Sequence, residues 1–307
     1  MEESRRRRKT MNVTTVLSII AALVVIVLAA WLIGTYRLKT MAKRLRQELA
    51  PEQEAEEVFS PDLVSTLPRP VQRYFLRAIT AGTPLASSVR LTMAGTIKLG
   101  NGWYPFIASE TLTPFRGFVW QAAARVGLVP VQAIDHHLNG RGSMRVWAAA
   151  LLPLVQSDRA DIARSGAGRL AGEALWLPAA FLPQRGVTWE AVNDQHIKAT
   201  VMVPSSKRGA GKGKSENERK NENENEGEPV TLHFIIDAEG RVEELFFDRW
   251  KVEEQAFVPF GMKVEAERSW DGYTIPSRVY GGWWYGTERF ASSGAFIRCT
   301  ISGAAFR

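Results

Sequence analysis

Residues 229–237 read PVTLHFIID, and Val230, Leu232, Phe234 and Ile236 take every second place in it. A period of two puts all four side chains on one face of an extended chain and leaves the other face to Thr231 and His233. The same alternation runs outward in both directions. In HIKATVMV (196–203), Ile197, Ala199, Val201 and Val203 alternate with Lys198 and Thr200; in GMKVEAE (261–267), Met262, Val264 and Ala266 alternate with Lys263, Glu265 and Glu267. In GVTWEA (186–191), Val187, Trp189 and Ala191 share a face. These are strands with one buried and one solvated face, the pattern of an antiparallel sheet. Further strands are expected over 89–98, 103–112, 115–123, 139–149, 241–249, 273–285 and 289–301. Turn signals fall between them at Leu99-Gly100-Asn101-Gly102, Ala238-Glu239-Gly240 and Asp271-Gly272, which favours hairpin connections over crossovers.

Helical patterns interrupt this run twice. In PDLVSTLPRPVQRYFLRAIT (61–80), Val71, Tyr74, Phe75 and Ala78 fall on one helical face. In SDRADIARSGAGRLAGEALW (157–176), Asp158 is placed to cap a helix with Leu170, Ala174 and Leu175 on its apolar stripe. Gly166, Gly168 and Gly172 weaken that helix by up to ~1 kcal/mol each. Pro178 and Pro183 close it.

The N-terminal part is of another kind. Val13 to Gly34, VTTVLSIIAALVVIVLAAWLIG, contains no charge, and as a helix it is ~33 Å long against a hydrocarbon core of ~30 Å. The run continues through Trp31, Leu32 and Ile33, past the small-residue place near Ala29 where a signal peptide would be cut, so an uncleaved single-pass transmembrane helix is expected. The net charge of +7 belongs to this region. Residues 1–49 hold ten Lys or Arg and three acids, an excess equal to that of the whole chain, so the remainder is neutral. A basic footprint on the domain is missing, and nucleic acid is not an expected partner. Five bases on each side of the span leave its direction in the membrane open.

The expected organisation is a basic tail over 1–12, a transmembrane helix over 13–34, a charged stalk over 35–60 and a β-rich domain over 61–307. Within that domain, Ser205 to Pro229 is almost free of apolar side chains and reads as a disordered hairpin insertion. The fold class is an N-terminal transmembrane helix followed by a mainly β (α+β) domain, a curved antiparallel sheet or half-barrel with a packed helix.

Chemistry is less sharply written. Cys299 is the only cysteine, so no intramolecular disulfide or cysteine zinc site is available. Asp135-His136-His137 is the most suggestive cluster for chemistry, but neighbours on a strand face opposite ways, so both histidines cannot serve one ion there without a turn. Arg169 and Glu173 stand at i, i+4, the spacing of an intrahelical ion pair worth a few tenths of a kcal/mol. Asp135, His137, Arg169 and Glu173 are the candidate catalytic set for an enzyme reading of hydrolase type. Gly140-Arg141-Gly142 lacks the Lys-Ser/Thr of a phosphate loop, and Ser143 lies outside a G-x-S-x-G frame. The ten tryptophans are more telling. An aromatic-rich sheet can wrap an apolar cavity, with Trp103, Trp120, Trp176 and Trp189 as candidate ligand-binding residues.

Five stretches carry a resemblance: LPRPVQRYFLRA (67–78), WYPFIASE (103–110), FRGFVWQA (115–122), DHHLNGRGSMRV (135–146) and RLAGEALWLPAAFLPQRGVTWEAV (169–192). Together they resemble an uncharacterised bacterial domain-of-unknown-function family with the pattern P-x-x-x-R-Y, W-x-P-F-x-A, G-F-x-W, D-x-Y-x-x-G-x-G-x-M and E-x-x-W-x-P-x-A-x-L-P. The resemblance spans about residues 67–301. His137 stands where the family usually has Tyr, and Arg116 where a Pro commonly precedes Gly-Phe. The order of strands and helix is similar to lipoprotein-carrier-like half-barrels, a likeness of fold that implies no activity. The leading expectation is a non-enzymatic domain at the cell membrane that binds an apolar or amphipathic ligand such as a lipid, without metal or cofactor. The alternatives are the hydrolase and a membrane-associated structural or assembly factor.

Overall fold

The computed structural model describes residues 12–50, 57–204 and 227–307. The expected basic tail, apart from Asn12, and the expected disordered insertion up to Glu226 lie outside the described residues.

In chain order the elements are α1 (Val13–Leu49), α2 (Arg69–Ala78), β1 (Val89–Leu99), β2 (Gly102–Thr113), β3 (Gly117–Val126), β4 (Val129–Leu138), β5 (Arg141–Ala148), β6 (Leu152–Ser157), α3 (Ala160–Glu173), β7 (Thr188–Ala191), β8 (His196–Val203), β9 (Glu228–Ile236), β10 (Val242–Lys251), β11 (Ala256–Trp270), β12 (Tyr273–Trp283) and β13 (Ala295–Phe306). Short 3-10 turns follow α3 through Arg185. The thirteen described strands form one open, curved antiparallel sheet in the order β6-β5-β4-β3-β2-β1-β13-β12-β11-β10-β9-β8-β7. Each strand beside its chain neighbour makes two hairpin meanders, joined where β1 pairs with β13. Register shifts at Thr92/Met93, Val264/Ala266 and Gly281/Gly282 bend the strands and let so wide a sheet curl.

The fold class read from alternation is the observed one. Two strands were not anticipated, β4 and β6. Each carries a proline, Pro130 or Pro153, that interrupts the pattern; Pro130 stands second in β4, and β6 lies at the sheet edge, both places where a missing N–H is tolerated. The last strand lies later than expected, because residues 290–294 form a single π turn before it. Glu228 and Pro229, expected within the insertion, pair with Val203 and Met202 and belong to the sheet. Asp158 does not cap α3, which starts after Arg159.

The two faces of the sheet have different covers. On the concave face lies the main core, closed by α2, α3 and the segment Ala174–Leu182. Val71, Tyr74, Phe75 and Ala78 of α2 are buried there, the face that helical spacing assigns to the interior. Tyr74, Phe75, Phe181, Trp189 and Phe234 form one aromatic cluster with centroids 5.0–6.1 Å apart.

On the convex face lies the second half of α1. The helix is continuous through the apolar segment and residues 35–49 of the expected stalk, and that part does not stand off from the domain; residues 51–56 of the stalk lie outside the described residues. Leu38, Ala42 and Leu49 are buried, the first two against Ile134 and Ala150. Arg46 Nη2 donates to Ser109 Oγ (2.8 Å) and Gln121 Oε1 (2.9 Å), and Thr113 Oγ1 donates to the Leu49 carbonyl (2.8 Å). A Cβ at Gly34 would run into the Ala150 carbonyl, so helix and sheet touch where the apolar run ends. The domain also begins before Pro61: Val58 bridges Pro84 and Phe59 is in the core.

Phe234→Ala removes the ring at the centre of the aromatic cluster. The expected loss is ~3–5 kcal/mol, read as a lowered urea midpoint of the full chain in detergent. A loss below about 1 kcal/mol would show that the cluster is not a close-packed core.

Candidate functional site

The chain leaves β6 at one edge of the sheet and re-enters it as β7 at the other. The connecting α3 therefore crosses the concave face. Its glycines make a close crossing possible. A Cβ at Gly172 would stand 2.7 Å from the Phe247 ring, one at Gly168 2.9 Å from the Arg249 side chain, and one at Gly166 3.1 Å from His137. Glycines that cost helix propensity in the sequence are the surface on which the helix meets the sheet.

Between α3 and the sheet lies a cavity of about 300 Å³. Met93, Met262, Val279, Phe296 and Ile297 form its apolar wall, with Trp120 and Trp176 also in the lining. Trp176 is held by its indole N–H, which donates to the Pro276 carbonyl (3.2 Å). A larger depression of about 530 Å³ lies on the flank of β9 and β10. Its wall includes Glu228, Thr231, His233 and Asp248 and adjoins the segment outside the described residues, so the apolar cavity is the better ligand site.

One wall of the cavity is charged. Arg169 Nη1 donates to Asp135 Oδ2 (2.7 Å), its Nε to Glu173 Oε1 (2.7 Å), and Nη2 reaches Glu110 Oε1 at 3.4 Å. The guanidinium also lies over the rings of Phe118 (4.5 Å) and Trp120 (5.3 Å). Burial alone would lower the Arg169 pKa, but the three carboxylates together outweigh it and raise it. Glu110 is held well above the ordinary carboxylate range, first by burial and then by the negative charge of Glu173; Arg169 opposes the shift. Glu110 Oε2 and Glu173 Oε2 are both buried without another partner.

Arg249 faces the cavity from β10 and is treated differently. Its Nε donates to the Ser165 carbonyl (3.0 Å), and its guanidinium lies over Phe260 (4.7 Å) and Trp283 (4.9 Å). Among the described residues it makes no ion pair. Burial and the charge of Arg169 push its pKa down to about 10, so it is cationic at neutral pH. The nearest carboxylates, Glu173, Asp135 and Glu253, oppose that fall without forming an ion pair with it among the described residues.

The structure brings three of the four candidate catalytic residues together: Asp135, Arg169 and Glu173. His137 stands one inward position further along β4, outside the cavity, stacked on Phe118 (6.4 Å between centroids). Burial pushes its pKa down to about 4, and neither ring nitrogen has a partner among the described residues. His136 points to the opposite face of the sheet. Of the four tryptophans, Trp120 and Trp176 line the cavity. Trp189 belongs to the aromatic core, its indole N–H donating to the Phe181 carbonyl (2.8 Å), and Trp103 is part-exposed near the β1–β2 turn beneath the Arg298 guanidinium. Among the described residues no three His, Cys, Asp or Glu side chains are arranged to hold a metal ion.

Two residues of this site had not been singled out, Glu110 and Arg249. Both were marked in the sequence. Glu110 follows Phe106 and Ala108 in phase and precedes Leu112; Arg249 follows Leu245 and Phe247 in phase. A charge that keeps step with the apolar face of a strand must point inward.

Residues 57–208 and 216–293 match the family of unknown function DUF6544, and the chain belongs to that family. No curated protein matches it. Among solved structures, the chain is similar to a putative outer membrane lipoprotein-sorting protein domain from Vibrio parahaemolyticus (10% identity, 72% of this chain and 86% of that one, TM-score 0.37). It is also similar to a DUF1329 family protein from Desulfovibrio piger (8% identity, 80% and 91%, TM-score 0.38). A LolA superfamily protein from Nitrosomonas europaea is similar at 10% identity (78% and 92%, TM-score 0.34). Family and fold likeness are those expected from the motif series and the order of elements.

Two outcomes test the charge network. Arg169→Met leaves buried carboxylates without their cation, and the expected loss is ~3–5 kcal/mol in chemical denaturation, against a few tenths for an exposed i, i+4 pair. Glu110 keeps its proton in the folded chain at pH values where the unfolded chain has released it. The folded state then binds more protons, and Glu110 makes stability fall as pH rises from the ordinary carboxylate range toward the raised pKa. Glu110→Gln retains a donor and removes the titration, so the variant should lose less stability than the parent between about pH 5 and pH 8. Parallel profiles would refute a protonated Glu110.

Proposed function

We propose that this member of the DUF6544 family is a membrane-anchored, non-enzymatic domain that holds an amphipathic ligand, such as a lipid, in the cavity between α3 and the sheet. The observation that carries the reading is the cavity itself. Its wall is mostly apolar, and it contains one buried cation, Arg249, with no carboxylate paired to it among the described residues. An acyl chain fits the wall of Met93, Met262, Val279 and Phe296. A phosphate or carboxylate head fits Arg249, whose planar donors match such an oxyanion.

Membrane attachment is supported by α1. Its first part is long and apolar enough to cross a bilayer, and none of that window is buried in the protein. Tyr36, Arg37 and Lys39 follow as an interfacial end. The domain then sits at the membrane surface, close to a supply of lipids.

A hydrolase reading needs a carboxylate free to act as base. Asp135 and Glu173 are each 2.7 Å from Arg169, and Glu110 is fully buried beside the same guanidinium, so none of the three is a free carboxylate. This favours binding over chemistry.

The test is native mass spectrometry of the full chain released from a mild detergent, followed by solvent extraction of any bound amphiphile. The expected result is a lipid-mass adduct on the wild-type chain, reduced several-fold in Ile297→Trp, which fills the cavity from a half-buried position. A wild-type chain that carries no adduct and takes up none from mixed phosphatidylcholine–phosphatidylglycerol micelles would overturn the proposal.

A further inference from the structure

Six connections lie along the edge of the sheet formed by one set of strand ends, those of β8–β9 and β12–β13 and four hairpin turns. The pairs Leu99↔Gly102, Val126↔Val129, Ala148↔Leu152 and Lys251↔Ala256 close the four turns. Glu253, Glu254 and Gln255 make the β10–β11 turn polar, whereas the β3–β4 and β5–β6 turns, the ones nearest α1, are unusually apolar for loops in water. Leu128 at the β3–β4 tip is 95% exposed, Leu152 beside the β5–β6 turn 61%, and Phe257 after the β10–β11 turn 51%. Leu99 and Leu151 are exposed as well. The opposite edge carries polar turns, such as Asn193-Asp194-Gln195 and Asp237-Ala238-Glu239-Gly240.

The β5–β6 turn is built at a cost. Ala149 and Ala150 both adopt positive φ (50° and 57°), a conformation that Asn-Gly would take with less strain. A turn exposed to water gains nothing from alanine there. Ala150 instead packs under α1.

The direction of α1 relates this edge to the membrane. Leu49 meets Thr113 at the polar edge, Arg46 meets Ser109 and Gln121 further along the sheet, and Gly34 meets Ala150 at the apolar edge. The apolar residues 13–33 therefore project beyond the edge that carries Leu128 and Leu152. Trp31, Tyr36, Arg37 and Lys39, the interfacial residues of the helix, are level with that edge, and Arg125 is exposed next to the Leu128 tip. The cavity has the same orientation. Ile97, Ile297 and Val252 of its lining stand next to these turns, while α3 crosses nearer the other edge, where Gly142 and His137 meet it.

We propose that this apolar edge is a second membrane contact: the tips around Leu128 and Leu151–Leu152 insert into the leaflet beside α1, and the mouth of the cavity opens onto lipid. An amphiphile then passes between leaflet and cavity without crossing water. The proposal rests on α1 being a membrane span, as the preceding reading holds, and goes beyond it in assigning the domain its own bilayer surface.

The experiment uses the full chain in phosphatidylcholine–phosphatidylglycerol vesicles that contain a nitroxide-labelled lipid. A polarity-sensitive fluorophore is attached, in separate variants, at Leu128→Cys, Leu152→Cys, Val25→Cys and Glu239→Cys. The native Cys299 is buried, and burial pushes its thiol up to about 12, so it does not compete for the label. Val25 reports the helix; Glu239 reports the polar edge. The expected result is strong quenching at Leu128, Leu152 and Val25, several-fold above that at Glu239. Quenching at Val25 with Leu128 and Leu152 no more quenched than Glu239 would overturn the membrane edge and leave the anchor standing. An unquenched Val25 would remove the anchor reading and this proposal together.

Discussion

Residues 158–187 have to carry the chain from one edge of a thirteen-stranded sheet to the other, and most of the site follows from that requirement. A meander puts β6 and β7 at opposite extremes. The only covered route between them is across the concave face, so the connecting helix lies over the core. Gly166, Gly168 and Gly172 let it approach the strands closely. The stretch Ala174–Leu182 then fills the lower core, and the space beside the helix remains as a cavity. A longer or bulkier residue on that helical face would lift the helix and open the fold.

The crossing also forces a polar solution. Arg169 lies on the face of α3 that is pressed against the sheet, and a lone buried guanidinium is costly. Asp135 and Glu110 arrive from two strands and Glu173 from the next helical turn, and burial together with the crowding of the acids raises the Glu110 pKa. The network thereby ties α3 to two strands of the sheet, β2 and β4. Arg249 is left over, held by one carbonyl and two aromatic rings, with its charge available to whatever enters the cavity.

Much of this was legible along the chain. Alternation in 196–203, 229–237 and 261–267 identifies strands because one buried face imposes a period of two. The α2 face, Val71, Tyr74, Phe75 and Ala78, is legible for the same reason at helical period. β4 and β6 were hidden by their prolines. Glu110 and Arg249 had a signal, a charge in phase with apolar neighbours, but its meaning depends on a partner supplied by another element. The separation of Trp120 and Trp176 from Trp103 and Trp189 had none, since all four sit in comparable strand or helix contexts and only the packing tells cavity wall from core and surface.

By itself the sequence determined the local matters: which segments alternate, which segment is apolar for a membrane's thickness, and where the positive charge lies. Those depend on spacing and composition over a few residues to a few turns. Tertiary structure alone decided which charges meet. Arg169 and Asp135 are 34 residues apart and Arg169 and Glu110 59 apart, and no local rule brings them within hydrogen-bonding distance. It also decided that α1 lies along the convex face, so that residues 38–49 pack on the sheet and the apolar part of the helix emerges beside the β5–β6 turn. The physical reason is the same in both cases: burial acts on faces, and which faces oppose one another is a property of the closed chain.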